Sequence, residues 1–120
     1  MVEQVLLKAL EYARVAVDTA SEKQAVDILL LDIRSATSFA DYFVIMTADS
    51  SRQLTSLAEE VAESLEGAGA KLHHREGSPK SGWVLLDFGD VIVHLFGREE
   101  REFYALENVW KQTVEVVRLQ

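Results

Sequence analysis

The sequence predicts a single α/β domain in which helices flank a mixed sheet of about five strands. Apolar residues recur at helical spacing in three segments, short apolar runs rich in β-branched residues lie between them, and a tight hairpin joins the last two predicted strands. The elements follow the order helix, two strands, helix, three strands, helix. Because this order is not a repeating strand and helix series, we expect the sheet to contain both parallel and antiparallel neighbours.

Periodicity and turn signals place each element along the chain. In order, the sequence predicts a helix over 2–17, a loop over 18–22, strands over 26–33 and 41–47, a helix from 51 onward, a weak edge strand over 70–75, a loop over 76–82, strands over 83–88 and 91–96, a charged connector over 98–102 and a helix from about 104 to 117. The second helix has the clearest start, since Ser50 and Gln53 match a capping box. Gly67 or Gly69 is expected to supply the left-handed residue that ends it.

The hairpin at 83–96 is the element around which the predicted sheet is organised. Gly89 and Asp90 separate its two apolar runs, and glycine closes a two-residue turn because it accepts positive φ without steric cost. The turn sets the register, so successive side chains alternate between two faces. One face is wholly apolar and is predicted to be core: Val84, Leu86, Phe88, Val91, Val93 and Leu95. The other face, called the mixed face below, contains Trp83, Leu85, Asp87, Ile92, His94 and Phe96.

The mixed face has two interpretations. Aromatic anchors beside a few polar groups are typical of protein-binding surfaces. A helix that covers the face, with Asp87 and His94 hydrogen-bonded inside, fits the pattern equally well. Trp83 and Tyr104 flank the charged connector, and each has a polar group that suits a half-exposed interface. Trp110 is predicted to lie mostly in the core.

Composition and charge restrict the function classes. The 120 residues include 20 acidic and 12 basic side chains, for a net charge of -8, which disfavours direct nucleic-acid binding and favours a basic protein partner. The absence of cysteine excludes disulfides and thiolate chemistry and fits a reducing cytosol. No apolar run approaches the roughly 20 residues that span a bilayer, and the N-terminus lacks the basic region of a secretion signal. We therefore expect a cytoplasmic protein that does not bind membranes.

The sequence pattern predicts no catalytic, cofactor or metal site. The adjacent His73 and His74 would point to opposite faces of a strand, so they could not bind one metal ion together. Nucleotidyltransferases hold two metal ions with acids at positions i and i+2 of one strand. Here the first acid would be Asp41, but the second position is Phe43. Asp41 is therefore predicted to be a cap or turn former, with a partner contact as the alternative, and a residual nucleotide-binding or nucleotidyltransferase-like enzyme is the alternative function.

Five separated motifs carry a family resemblance. They are D-Y-F-V-I at 41–45, S-S-R-Q at 50–53, E-G at 76–77, W-V-L-L-D-F-G-D-V-I-V-H-L-F at 83–96 and R-E-F-Y-A-L-E-N-V-W at 101–110. Together, in this order and spacing, they resemble the bacterial ribosomal silencing factor, or Iojap, family. The resemblance covers residues 1–110 as one domain, and we expect residues 111–120 to be a short helical extension. It implies a non-enzymatic protein with a nucleotidyltransferase-like fold that lacks the catalytic acids.

The resemblance also implies a partner and a mechanism. Members of the family bind universal ribosomal protein fourteen on the face of the large ribosomal subunit that meets the small subunit. They thereby block subunit joining and lower translation when nutrients are scarce. The family's binding surface corresponds to the mixed face, which implies Trp83 as the anchor, Asp87, His94, Phe96 and Tyr104 around it, and Leu85 and Ile92 as apolar contacts. A homodimer of the free protein through the same face is an alternative.

Overall fold

The computed structural model, which describes residues 2–108 and 112–120, is built on a six-stranded mixed sheet. The elements are α1 (Val2–Glu22), β1 (Val26–Asp32), β2 (Tyr42–Ala48), α2 (Ser51–Gly67), β3 (His74–Ser78), β4 (Trp83–Asp87), β5 (Val91–Gly97), α3 (Arg98–Tyr104) and β6 (Val114–Leu119), with short 3-10 turns at Pro79–Ser81 and Leu106–Asn108. The strands lie in the order β3-β4-β5-β2-β1-β6, and only the neighbours β2 and β5 are parallel. The predicted α/β class and mixed sheet are confirmed, with one strand more than expected.

Helices α1 and α2 pack on one face of the sheet and bury the apolar face of the hairpin. The predicted register is confirmed, with Trp83 opposite Phe96 and Asp87 opposite Ile92. Phe88 N donates to the Val91 carbonyl at 2.9 Å to close the turn, where Gly89 has φ 88°. The six apolar side chains predicted as core are all buried beneath the two helices. Each large aliphatic side chain buried in this way contributes about 1.5–3 kcal/mol to folding.

Helix α1 extends beyond the predicted residue 17. The prediction was too short because the buried face and the end of the helix both have weak sequence signals. Alanines at three- and four-residue spacing form the buried face: Ala9, Ala13, Ala16 and Ala20. Residues 18–22, predicted as a loop, are helical. The helix ends at Glu22, and the chain turns at Gln24, which has φ 64°; Ala25 N donates to the Ala20 carbonyl at 2.9 Å. The left-handed residue after this helix is a glutamine, which rarely adopts positive φ. The sequence therefore contains no glycine signal for the end of the helix.

The start of α2 forms one of the two hydrogen bonds of the predicted capping box, because the Gln53 side chain accepts from Asp49 N where the box would use Ser50 N. Ser50 Oγ accepts a hydrogen bond from Gln53 N at 3.1 Å, which satisfies one backbone donor of the first turn. The Gln53 side chain accepts from Asp49 N and donates to the carbonyls of Lys23 and Gln24, each at 3.3 Å. The cap therefore holds the end of α1 against the beginning of α2. None of the helices within the described residues is long and apolar enough to cross a bilayer.

Strand β3 lies at the edge of the sheet, as predicted, but it begins later than expected. The predicted bounds of 70–75 are wrong at both ends: residues 70–73 lie outside the strand, and residues 76–78, predicted as loop, pair with β4. Gly77 makes this pairing possible: it has φ 78°, and a Cβ atom there would lie 2.0 Å from the carbonyl oxygen of Trp83. Gly77, which was interpreted as a loop signal, is therefore needed because β3 and β4 approach each other closely at this position.

The chain after β5 differs most from the prediction. Residues 98–102, predicted as a connector, lie in helix α3. A helix was predicted to begin near Tyr104, whereas α3 ends at that residue. The helical extension expected for 111–120 is wrong, because Val114–Leu119 forms β6 and pairs with β1 at the other sheet edge. Val109 and Trp110, assigned to that predicted helix, lie outside the described residues, and the domain boundary after residue 110 stays a prediction.

Buried Arg101 accounts for the position of α3. Its Nη1 donates to the Asp27 carbonyl at 2.6 Å and to Thr47 Oγ1 at 2.8 Å, and its Nε lies 3.3 Å from a carboxylate oxygen of Glu107. Asp27 has φ 48° beside a register shift in β1, which turns its carbonyl to the guanidinium. Local sequence patterns could not show this contact because its partners lie on distant strands. Arg101 thus fixes the end of α3 that carries Tyr104.

Candidate protein-binding surface

A continuous row of aromatic rings crosses the mixed face of the sheet. It consists of Phe39, Phe43, His94, Phe96, Trp83, Tyr104 and Phe103, called the aromatic row below. Neighbouring ring centroids in it lie between 4.5 Å and 6.3 Å apart, within the range of favourable aromatic pairs. Its inner members rest on a second, smaller apolar cluster that includes Leu29, Leu31 and Ile45. The row is therefore a rigid platform built on the sheet.

Trp83 is half-buried at the centre of the exposed part of the row. Its ring lies 4.5 Å from Tyr104 and 5.0 Å from Phe96, measured between centroids. Its indole Nε1 donates a hydrogen bond to His94 Nδ1 at 3.3 Å. Ring contacts with Tyr104 and Phe96 and a hydrogen bond to His94 pack the indole against the sheet, while the side chain stays half-exposed.

Helix α3 supplies the most exposed members of the row. Phe103 is 79% exposed and Tyr104 is 43% exposed, and their rings meet edge to face at 5.0 Å. Beside the packed rings of Trp83 and Tyr104 lies a pocket of about 250 Å³, which is also lined by Leu85, Glu76 and Ser81. A pocket lined by aromatic side chains is typical of the places where a partner's side chain is buried.

Three carboxylates lie in or next to the aromatic pocket. Glu76 lines it directly, and Glu99 and Glu100 line the adjoining depression beside Phe103 and Tyr104. These acidic groups add to a net charge of -8 for the whole chain. An apolar centre with an acidic rim is complementary to a basic protein surface.

The structure divides the predicted site residues into exposed and buried groups. Trp83, Leu85 and Tyr104 line the pocket and are open to a partner. Ile92, His94 and Phe96 are buried, with His94 4% and Phe96 0% exposed. The two interpretations of the mixed face therefore each apply to part of it: its β4 side is open, and its β5 side is covered by neighbouring side chains.

The predicted acids Asp87 and Asp41 lie near the hairpin turn. Asp87 Oδ1 accepts a hydrogen bond from Gly89 N at 2.7 Å, which stabilises the turn. Asp41 N donates to the Asp90 carbonyl at 2.8 Å, where the chain enters β2. Burial, followed by the neighbouring Asp90 carboxylate, raises the pKa of Asp41 above its ordinary value. Both acids thus have roles in the turn region, and their contact with a partner stays a prediction.

Burial keeps His94 in its neutral form. It lowers the pKa of the imidazole to about 3. Because the Trp83 indole only donates, His94 Nδ1 must accept and the ring proton must lie on Nε2. Nε2 is buried without a hydrogen-bond partner among the described residues.

Two exposed members of the row, Phe39 and Phe103, were not identified from the sequence. Phe103 was missed because 98–102 was interpreted as a connector. The F-Y pair at the end of a short charged segment was the available signal, since it places adjacent aromatics at a helix end. In the part of the chain that the structure describes, no group of three or more histidine or acidic side chains is placed to hold a metal ion. The second acid position of a two-metal site is occupied by buried Phe43.

Comparisons with known proteins give consistent results. A family model described as "Ribosomal silencing factor during starvation" matches residues 7–120, a range that includes β6. The chain is 40% identical over 97 residues to ribosomal silencing factor RsfS of Zymomonas mobilis, which covers 81% of this chain and 73% of that protein. It is 37% identical over 97 residues to the protein of the same name in Bacillus subtilis, with coverages of 81% and 82%. A crystal structure of a Chromobacterium violaceum protein matches with a TM-score of 0.80 at 32% identity, over 90% of this chain and 92% of that one.

Two longer eukaryotic proteins also match. The chain is 35% identical over 103 residues to chloroplastic protein Iojap of Zea mays, of which it spans 45%. It is 29% identical over 92 residues to "Mitochondrial assembly of ribosomal large subunit protein 1" of Mus musculus, of which it spans 40%.

Proposed function

Because this chain belongs to the ribosomal silencing factor family, we propose that it binds the large ribosomal subunit through universal ribosomal protein fourteen and prevents the small subunit from joining. The resemblance carried by the five motifs is confirmed. The family name assigns a role in silencing ribosomes. Beyond this role, we propose the ribosomal partner, the contact face and the mechanism.

The observation that carries the proposal is the open end of the aromatic row. Trp83 and Tyr104 form the walls of a pocket, and Phe103 projects beside them with most of its ring in solvent. Large aromatic side chains on a rigid platform supply most of the binding energy in many interfaces. The surrounding carboxylates favour a basic ribosomal protein over the phosphate backbone of RNA.

The choice of the large subunit agrees with the name of a relative. The mouse protein is named for assembly of the mitochondrial ribosomal large subunit. The proposed mechanism is steric and non-enzymatic: a bound body of 13.5 kDa occupies space at the subunit interface and acts for as long as it stays bound. This mechanism places the protein in the cytoplasm, where bacterial subunits assemble.

Co-sedimentation with separated ribosomal subunits tests the proposal. We expect the wild-type chain to sediment with large subunits and not with small ones. Phe103→Ala should weaken this binding at least fivefold, and because the side chain is largely exposed, the variant should fold normally. Leu7→Ala is the matched control, since Leu7 is 66% exposed on α1, which packs on the opposite face of the sheet.

The same experiment distinguishes competing uses of this face. Binding to both subunits, or equal binding by Phe103→Ala and wild type, would contradict the proposed surface. Sedimentation velocity of the free chain at micromolar concentration addresses the alternative of a homodimer. A dimer that Phe103→Ala dissociates would show that a second copy occupies the face.

A further inference from the structure

His94 lies directly behind Trp83 and does not reach the surface. It is in the middle of β5, in register with Ile45 on β2 and Leu85 on β4. Phe43 meets its ring edge to face at a centroid distance of 4.7 Å, and the centroid of the Trp83 ring lies 6.0 Å away. A partner that docks on the aromatic row would therefore contact Trp83 and leave His94 untouched.

One hydrogen bond connects the buried ring to the exposed one. Trp83 Nε1 donates to His94 Nδ1 at 3.3 Å. Van der Waals contacts with Phe96 and Tyr104 also hold the indole, but such contacts tolerate a flipped ring better than a directional hydrogen bond does. The acceptor on His94 therefore selects which edge of the indole faces the sheet and which edge faces the pocket.

Packing alone does not account for a histidine at this position. Its Nε2 is buried and lacks a hydrogen-bond partner among the described residues, which destabilises the folded chain. A leucine or valine on β5 would fill similar space among apolar neighbours without leaving a polar atom unpaired. The imidazole does one thing that these side chains cannot do: it accepts the indole N–H.

We propose that His94 is a positioning residue that orients Trp83 for partner binding through its Nδ1 acceptor. The wall that Trp83 and Tyr104 present to the pocket is then in place before the partner arrives, so binding does not have to order it. The binding consequence of this inference rests on the proposed function. The hydrogen bond itself is a property of the free chain.

Two substitutions separate the acceptor from the ring. His94→Leu removes the acceptor and keeps an apolar side chain of similar volume. His94→Asn keeps an acceptor, because the asparagine Oδ1 occupies nearly the position of the histidine Nδ1. His94→Val, suited to a strand, is a second variant without an acceptor. All three are compared at conditions where urea unfolding shows the chain to be folded.

The first readout is the indole N–H of Trp83 in the free chain. Trp110→Phe leaves Trp83 as the remaining tryptophan of the two in the sequence, so its indole signal is unambiguous in ¹⁵N NMR. We expect hydrogen exchange of this N–H to be at least fivefold faster in His94→Leu and His94→Val than in the parent, and near the parental rate in His94→Asn. Unchanged exchange in the variants without an acceptor would overturn the proposal.

The second readout is binding to purified large subunits. We expect His94→Leu and His94→Val to bind at least fivefold more weakly than wild type, and His94→Asn to bind within about twofold of it. Equal weakening in all three variants would assign His94 to packing and overturn the proposal, as would wild-type binding in all three. If the wild-type chain itself does not bind large subunits, the proposed function fails and the binding consequence fails with it. That result is distinct from one in which wild type binds and the variants contradict the inference.

Discussion

Mild acid should destabilise this fold through His94. Burial lowers the pKa of the folded imidazole to about 3, whereas an unfolded histidine has a pKa of about 6.5. Between these two values the unfolded chain binds a proton that the folded chain does not bind. The contribution of neutral His94 to the free energy of unfolding is therefore fully present above about pH 6.5 and is lost as the pH falls toward 3.

The size of the effect follows from the distance in pH below the unfolded pKa. A pH of 5.0 is about 1.5 units below the pKa of about 6.5 of the unfolded imidazole. Each unit of this difference corresponds to about 1.4 kcal/mol of free energy. The contribution of His94 to the free energy of unfolding should therefore fall by about 2 kcal/mol between pH 7.5 and pH 5.0. The hydrogen bond from Arg34 lowers the pKa of Asp32, and burial raises that of Asp41, from ordinary values of 3.8. Neither shift is caused by His94, so the contribution of these two carboxyls is expected to be the same in wild type and in a variant that lacks the imidazole.

Urea unfolding at the two pH values, followed by circular dichroism, measures this effect. His94→Asn is the control because it retains an acceptor for Trp83 but has no titratable group. We expect the wild type to lose about 2 kcal/mol more than His94→Asn between pH 7.5 and pH 5.0. An equal pH dependence in the two proteins would refute the assignment of a buried neutral imidazole.

Three further predictions concern the elements that support the aromatic row, and urea unfolding measures each of them. Arg101→Met should cost about 2–4 kcal/mol because it leaves buried hydrogen-bond partners unsatisfied, whereas Arg98→Ala, at an exposed ion pair, should cost less than about 1 kcal/mol; similar losses for both would contradict the role of the buried guanidinium. Gly77→Ala should cost at least about 1–3 kcal/mol because its Cβ would meet the Trp83 carbonyl, while Gly67→Ala, with open space around it, should be neutral or stabilise α2 by up to about 1 kcal/mol. Ser50→Ala should cost about 1 kcal/mol through loss of the N-cap, and an unchanged stability would show that the cap is dispensable.

The parts of the fold that the sequence predicted well are those specified by local chemistry. Gly89 closes the hairpin turn, and the turn sets the register of every pair from Trp83 to Phe96. Ser50 caps α2 because its side chain reaches a backbone donor three residues away. These interactions join residues that are close in the chain, so a reader of the sequence can identify them.

The parts that the sequence did not predict depend on contacts between distant segments. Arg101 positions α3 through Asp27 and Thr47, and no local pattern in 98–104 reveals those partners. Strand β6 lies at a sheet edge and is mostly exposed, so it has no regular alternation of apolar and polar residues. Its apolar spacing was therefore interpreted as an imperfect helix. The division of the mixed face was unpredictable for the same reason, because the ring of Tyr104, which lies over Phe96 and Trp83, comes from α3.

Subunit joining, followed by light scattering, tests the central claim most directly. Large subunits are incubated with the protein at increasing concentration, small subunits are added, and formation of the complete ribosome is recorded. We expect wild type and Leu7→Ala to reduce joining in proportion to their occupancy of the large subunit, and Phe103→Ala to require at least fivefold more protein. Full joining while the wild-type protein stays bound to the large subunit would contradict a steric mechanism.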